Sequence, residues 1–284
     1  MTAESLLKRY AAGERDFRGI QLIGADLSHQ DLSGANFRQS NLQNTNFCSA
    51  TLVGANFREA KLTDVNFNRA TLILANLIRA DIADGQLVGA DLSEAGMRSA
   101  NLVRANLSEA TLREANLNEA VLDYATLQGA VLSEASLSRG RLMATNLSHA
   151  NLDHANLTSA LMNRTVLKHA VLIGAIFTGA TLEGADFQSA DLSRAKLTST
   201  NLVNANLSLA NLRGANLSWS SLRGANLSGA TLYRTRLCWS NLSGADLTDA
   251  VMINAKLDYT NLRRTDVYGT IMPDGYTMGA KDGA

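Results

Sequence analysis

The 284-residue chain is long enough for one large domain or two small ones. Its 26 lysines and arginines balance 26 aspartates and glutamates, which argues against nucleic acid as the main partner, because phosphate binding leaves a basic footprint. Aromatic residues make up only 5% and there is a single proline, so the core is not that of an ordinary globular domain.

No apolar run approaches the ~18 residues of a membrane span, and no membrane association is expected. Met1–Phe17 carries Glu4, Lys8, Arg9, Glu14 and Arg15 and lacks the apolar centre of a signal peptide, so a cytoplasmic location is expected. Residues 1–13 suit a short capping helix: Glu4 lies in the first turn, Leu6, Leu7 and Tyr10 form an apolar side, and Gly13 ends it.

From Phe17 the chain repeats every five residues. Phe17, Leu22, Leu27, Leu32 and Phe37 begin a series that reaches Leu257, Leu262 and Val267 without an insertion, and all 51 members are Leu, Phe, Ile, Met or Val. Two residues before each such centre stands a small residue. Of the 49 such positions from Ala25 to Thr265, 35 are Ala. The residue between the two is most often Asn, Asp or Thr. Period five fits neither a helix nor a simple two-residue alternation. It implies a coil with two of every five side chains inside and three outside. Fourteen of the 21 glycines fall two residues after a centre, where a tight turn would want positive φ. All seven phenylalanines are centres with numbers ending in seven, a second period of ten. Coils of ten or twenty residues both satisfy that period, but ten leave no room for an interior.

The run Gly24-Ala25-Asp26-Leu27-Ser28, repeated as Gly214-Ala215-Asn216-Leu217-Ser218, resembles the pentapeptide-repeat family, and the likeness covers most of the chain. The opening from Leu6 to Phe17 resembles the N-terminal cap of cyanobacterial members. The resemblance implies an all-β fold: a right-handed quadrilateral parallel β-helix of twenty residues per coil, hence about 12–13 coils over residues 14–269. At ~4.8 Å per coil that is roughly 60 Å. Residues 270–284, with Pro273, Gly275, Gly279 and Gly283, break the pattern and read as an irregular C-terminal cap and loose tail.

In such a coil, residues twenty apart stack in columns. Trp219, Trp239 and Tyr259 form an outward aromatic column, which reads either as a partner or dimer surface or as a ladder covering its own neighbours. Arg18, Arg38 and Arg58, with Ile78 before Arg98, form a column of like charge that either attracts an anionic partner or is neutralised by neighbours such as Glu59. Glu94, Glu114 and Glu134, followed by His154 and flanked by Glu109 and Glu119, read as an exposed acidic band or part of a charged interface, with a cation- or small-ligand-binding surface as a third alternative. Leu161, Val166, Val171 and Ile176, with Ile173 nearby, place apolar residues where Asn or Asp is usual, either for strand propensity or for a lateral contact. His149 and His169 stack, but two imidazoles alone make a poor metal site, and no metal is expected. Cys48 and Cys238 lie nine and a half coils apart, roughly 45 Å along the axis, too far for a disulfide.

The chain has no phosphate loop, nucleophile elbow, HExxH or CxxC, and a filled interior leaves no ligand cavity. No enzymatic activity and no cofactor are expected. The leading expectation is an interaction scaffold that binds a regulatory protein through its outer faces, as a monomer or a lateral homodimer. The alternative, implied by other members of the family, is a DNA-mimicking protein that acts on gyrase. The neutral charge, the arginine column and the lack of a loop insertion or of a C-terminal dimerising helix in the sequence depart from that pattern.

Overall fold

A computed structural model describes residues 1–279; the tail expected at the extreme C-terminus lies outside the described residues. Contacts group the chain into two compact units, one from Met1 to Asn146 and one from Leu147 onward. Both are built from the same five-residue unit.

In each unit, residue i forms a parallel β-bridge with residue i + 20, as in Asp16 with Asn36 and Asn36 with Asn56 in the first, and Lys196 with Asn216 and Asn216 with Arg236 in the second. One coil therefore takes twenty residues and presents four five-residue faces. The coil of ten is excluded.

The five amides of one pentapeptide explain both the register and the composition. The centre donates to the coil above, as Phe37 N to Asn56 O at 2.7 Å. The residue before it donates to the coil below, as Asn36 N to Arg15 O at 2.7 Å. The residue two after it again donates upward, as Gln39 N to Arg58 O at 2.9 Å. The small residue that opens the next repeat closes a turn, as Ser40 N to Phe37 O at 3.1 Å. The one amide left, directly after the centre, has no backbone partner, and the Asn or Asp two residues earlier supplies one. Ser28 N donates to Asp26 Oδ1 at 3.0 Å and Arg58 N to Asn56 Oδ1 at 3.0 Å. This Asx cap is the physical reason for Asn and Asp at that position. Where the cap residue is missing, an Asn or Asp one coil earlier can replace it: Asn68 Oδ1 accepts from Val88 N and Asp123 Oδ1 from Met143 N. The cap is favoured and not required, since Thr51, Lys61 and Val121 stand at the same position elsewhere.

The residue two after each centre has positive φ. At non-glycine positions along both solenoids it lies between 52° and 64°. Turn closure with positive φ only at the third residue is the type II requirement, which favours Gly. It also disfavours β-branched side chains, and no Val, Ile or Thr stands at these corners. The corners also limit the strands. Pairing is confined to isolated bridges, and no extended strand occurs among the described residues, because each face is ended by a turn after the centre. The expected parallel β-helix is in this sense a stack of turns joined by bridges.

Centres and small residues fill the interior. From Leu27 to Met252 every centre is at most 1% exposed. The phenylalanines meet across it as well as along it: Phe37 and Phe57 stack at 5.3 Å, while Phe47 and Phe57, ten residues apart, contact edge to face at 5.8 Å. Ser or Thr replaces Ala where its hydroxyl can reach a centre's carbonyl, as Thr45 Oγ1 to Leu22 O at 2.8 Å.

The ends differ. Helix α1, Ala3–Ala11, is capped by the Thr2 hydroxyl, which accepts from Ser5 N. Its Leu6 is fully buried, the Tyr10 hydroxyl donates to Ser33 O at 2.8 Å, and the Arg9 guanidinium lies over the Phe17 ring. At the other end Ile271 bridges both Val251 in parallel and Thr277 antiparallel. The chain turns at Met272-Pro273-Asp274-Gly275, with Gly275 N donating to Met272 O at 2.9 Å, a Pro-Asp-Gly turn. Met278 O then accepts from Gly269 N at 2.8 Å, as the next coil would have done. The segment expected to be irregular is thus, up to Met278, a hairpin.

Two substitutions weigh the core against the cap. Phe57→Ala removes a ring packed on three others and should lower the unfolding free energy by about 3–5 kcal/mol. Asn56→Ala removes the cap of Arg58 N and should cost about 1–2 kcal/mol. Urea unfolding of the two variants against wild type checks the order; equal losses would mean the cap carries more than a hydrogen bond.

Candidate interaction surface

Trp219, Trp239 and Tyr259 occupy successive corners of one column, with φ of 64°, 61° and 57°. Positive φ aims them away from the core, and they are 60%, 49% and 75% exposed. The indoles lie parallel at 5.0 Å, and the phenol continues the stack at 4.1 Å from Trp239. The inner ring faces are spent on each other, while the outer faces of Trp219 and Tyr259 have no ring against them and the rims are open to solvent. Cys238 and Asp258 stand beside this column, with Cys238 Sγ 3.5 Å from Asp258 Oδ2.

The Arg18, Arg38 and Arg58 column is in place, but it does not stand unpaired. Arg18 holds Asp16 at 2.6 Å, and Arg38 and Arg58 both face Glu59, at 3.9 and 3.2 Å. Further along, Ile78 separates Arg58 from Arg98, and Arg98 pairs with Glu119 at 3.3 Å. Hydrogen bonds from Gln39 and then Arg58, reinforced by the charges of Arg58 and Arg38, hold the Glu59 carboxyl below its usual range. Glu119 is lowered by Ser99 and the Arg98 charge.

The apolar set Leu161, Val166, Val171 and Ile176 sits at the bridge position of four successive faces. Leu161 and Val171 are exposed and the other two are half-buried. Since the four point from four different faces, no single partner surface can cover them together. Glu94, Glu114 and Glu134 lie at successive corners of one column. His149 and His169 stack at 4.9 Å, while His154 turns to Asp153 at 2.9 Å. Among the described residues no group of three or more His, Cys, Asp or Glu could hold a metal ion. Both cysteines are free and half-buried.

A feature absent from the sequence reading emerges from the map of faces. Between Asp191 and Asp246 there is no acidic residue, while Arg194, Lys196, Arg213, Arg223, Arg234 and Arg236 are basic. All six are exposed, and among the described residues none makes an ion pair. Arg213 and Arg234 lie over the Tyr233 ring at 4.8 and 5.1 Å, and with Arg194 and Gly214 they line one shallow depression. Lys256, Arg263 and Arg264 extend the basic set to the last coil. The balanced charge of the whole chain conceals this segment; counting charge along the sequence in windows would have found it.

No helix among the described residues is long and apolar enough to cross a membrane. The family model described as "Pentapeptide repeats (8 copies)" matches overlapping segments that run from 20–58 to 230–267. No curated protein matches. Among solved structures, the chain is similar to HetL, a pentapeptide repeat protein involved in heterocyst differentiation regulation from the cyanobacterium Nostoc sp. strain PCC 7120. Identity is 30%, over 98% of this chain and 99% of that one, with a TM-score of 0.41. A pentapeptide repeat protein of the Arabidopsis thaliana thylakoid lumen is 33% identical over 43% of this chain and 68% of its own, at a TM-score of 0.22. QnrB1, a plasmid-mediated fluoroquinolone resistance protein, is 14% identical over 88% and 93%, at 0.28.

The paired carboxylates set an acid limit on the first unit. A carboxyl whose folded pKa lies below its unfolded one adds stability that is complete above the unfolded pKa and disappears as pH falls through the folded one. Glu59→Gln should therefore be less stable than wild type at neutral pH, and the gap should close below the ordinary carboxylate range. Thermal midpoints across an acid series measure this; a gap that stays constant to low pH would assign the loss to packing.

Proposed function

Since the chain belongs to the pentapeptide-repeat family, we propose that it is a non-enzymatic interaction scaffold that binds a regulatory protein through the outer faces of its β-helix. The reading takes the coil to be right-handed and four-sided, and the protein to work in the cytoplasm. The observation that carries it is the aromatic column. Three large rings stand exposed in one line at corners where the backbone favours glycine. Stacking alone would cover ring faces but would not call for Trp at an αL corner, where smaller polar residues serve elsewhere. Exposed aromatic clusters are a hallmark of contact surfaces.

The DNA-mimic alternative is disfavoured by charge. A mimic of duplex DNA needs a continuous acidic surface, whereas the segment from Arg194 to Arg236 is basic throughout. The expected lateral homodimer stays part of the proposal as one use of the same column.

Affinity capture from the native cell tests the reading. Tagged wild type should retain at least one protein that the Trp219→Ala/Trp239→Ala/Tyr259→Ala variant loses, with binding down at least roughly tenfold, as expected for hot-spot aromatics. Identical captured sets for both proteins would remove the column from the function.

A further inference from the structure

The twenty-residue register turns the basic segment into a surface. Arg236 and Lys256 are bridge partners on the face that leads to the aromatic corner, and the same column holds Lys196 and Asn216. On the face beyond that corner stand Arg223 and Arg263, with Arg264 at its end. One corner before the Arg236 face stand Arg234 and Arg194, with Arg213 behind them around Tyr233. The aromatic column is thus bordered by arginine and lysine on both sides. Asp258, drawn toward Cys238, is the one acid on these two flanking faces between Lys196 and Arg264. The remaining face of the last coils carries the opposite sign: Asp246 and Asp266 are bridge partners there, with Asp249 at its corner.

We propose that the aromatic column and the basic faces beside it form one docking surface for an acidic, apolar-containing segment of a partner protein. This rests on the interaction reading above and names the partner's chemistry. Three observations carry it. First, Arg236 and Lys256 are like charges on adjacent rungs. Such a pair is unfavourable in the free protein, and among the described residues no carboxylate forms an ion pair with either. Elsewhere on this fold, arginines in a column are given Asp16, Glu59 or Glu119. Carboxylates from a partner would complete here what the chain itself supplies there. Second, the stacked rings present their rims, which carry the positive edge of the ring quadrupole and suit carboxylate and aliphatic neighbours. Third, the acidic fourth face confines a polyanion to one side.

The same features disfavour a nucleic acid. Single strands bind by stacking bases on open aromatic faces, and here the inner faces are closed by the neighbouring ring. A strand wrapping the coil would also meet Asp246, Asp249 and Asp266.

Trp219 and Trp239 are the only tryptophans in the chain, so tryptophan emission of the full-length protein reports on this surface alone. It is titrated with a synthetic peptide of glutamates and aspartates interspersed with leucines, with its glutamine and asparagine twin, and with a single-stranded oligonucleotide of equal charge. The acidic peptide is expected to shift the emission. The twin should bind at least roughly tenfold more weakly, and added salt should weaken the acidic peptide. Arg236→Gln/Lys256→Gln should cost roughly tenfold in peptide affinity while its thermal midpoint stays level or rises, since the repelling like charges have been removed. Asp246→Asn/Asp266→Asn should leave affinity unchanged. The proposal is overturned if the twin binds as well, if the oligonucleotide binds more tightly than the peptide, or if sedimentation shows that a second copy of the chain occupies the surface. If a protein captured through the tryptophans is insensitive to both salt and the Arg236/Lys256 change, the interaction reading survives and this inference does not.

Discussion

The structure depends on one geometric fact: a centre's amide meets the carbonyl nineteen residues ahead, and the corner amide two residues later does the same. Both bonds are short and nearly invariant along each unit, from Phe17 to Asn36 at 2.8 Å in the first to Leu217 to Arg236 at 2.8 Å in the second. They fix the coil at twenty residues, and the four turns then follow from chain length. With the backbone so constrained, two side chains per repeat are forced inward. The interior they share is only wide enough for one large and one small residue per face. That is why Leu or Phe alternates with Ala and why the composition needs so few aromatics.

The corner is the costly part of this arrangement. A non-glycine residue at positive φ carries roughly 1–2 kcal/mol of strain, and the corner recurs every five residues. Glycine relieves the strain but loses more chain entropy on folding. The chain mixes the two, with Asn, Asp, Ser, Arg and Glu at many corners and no β-branched residue at any. A corner is also the most outward position of the repeat. Strain and exposure coincide there, so a bulky residue at a corner is the strongest surface signal the fold can give. Trp219, Trp239 and Tyr259 stand out on that ground, as do Leu74, Tyr124 and Leu209 singly.

The repeat, its inward pair and the column geometry were legible in the sequence because each is a periodicity, and a periodicity is averaged over some fifty copies. The glycines pointed to the positive φ, but the role of Asn and Asp did not follow from their frequency. It required knowing that one amide of the five has no backbone partner. The Pro273-Asp274-Gly275 turn is present in the residues, yet together with Gly279 and Gly283 it reads as an irregular cap and not as a hairpin. Charge was the least legible. Whole-chain neutrality at 26 against 26 hid a stretch without a single acid, whereas Glu59 beside Arg38 and Arg58 is one of two readings that the spacing offers, and side-chain reach decides for it. The apolar set from Leu161 to Ile176 lies on four successive faces, as its spacing of five within a coil of twenty requires.

A fold that satisfies its own amides so fully restricts how it can recognise anything. Within the interior coils every backbone N–H of a capped repeat is committed to a neighbouring coil, a turn or an Asx side chain, and an uncapped repeat such as Arg236-Leu237-Cys238 leaves at most the one amide after its centre, so strand addition, a common mode of peptide capture, finds no run of adjacent free donors. The filled interior leaves only shallow surface depressions, and among the described repeats no inserted loop supplies an adaptable segment. What is left is the identity of side chains in columns, whose spacing is set by the coil and whose chemistry is free to vary. Recognition by such a surface is by charge sign and ring edge over several rungs, not by a single pocket. The second unit uses both together: rings at a strained corner, unpaired arginines on the flanking faces and aspartates on the far side. That concentration of charge in one half of a neutral chain is the feature the fold itself does not require.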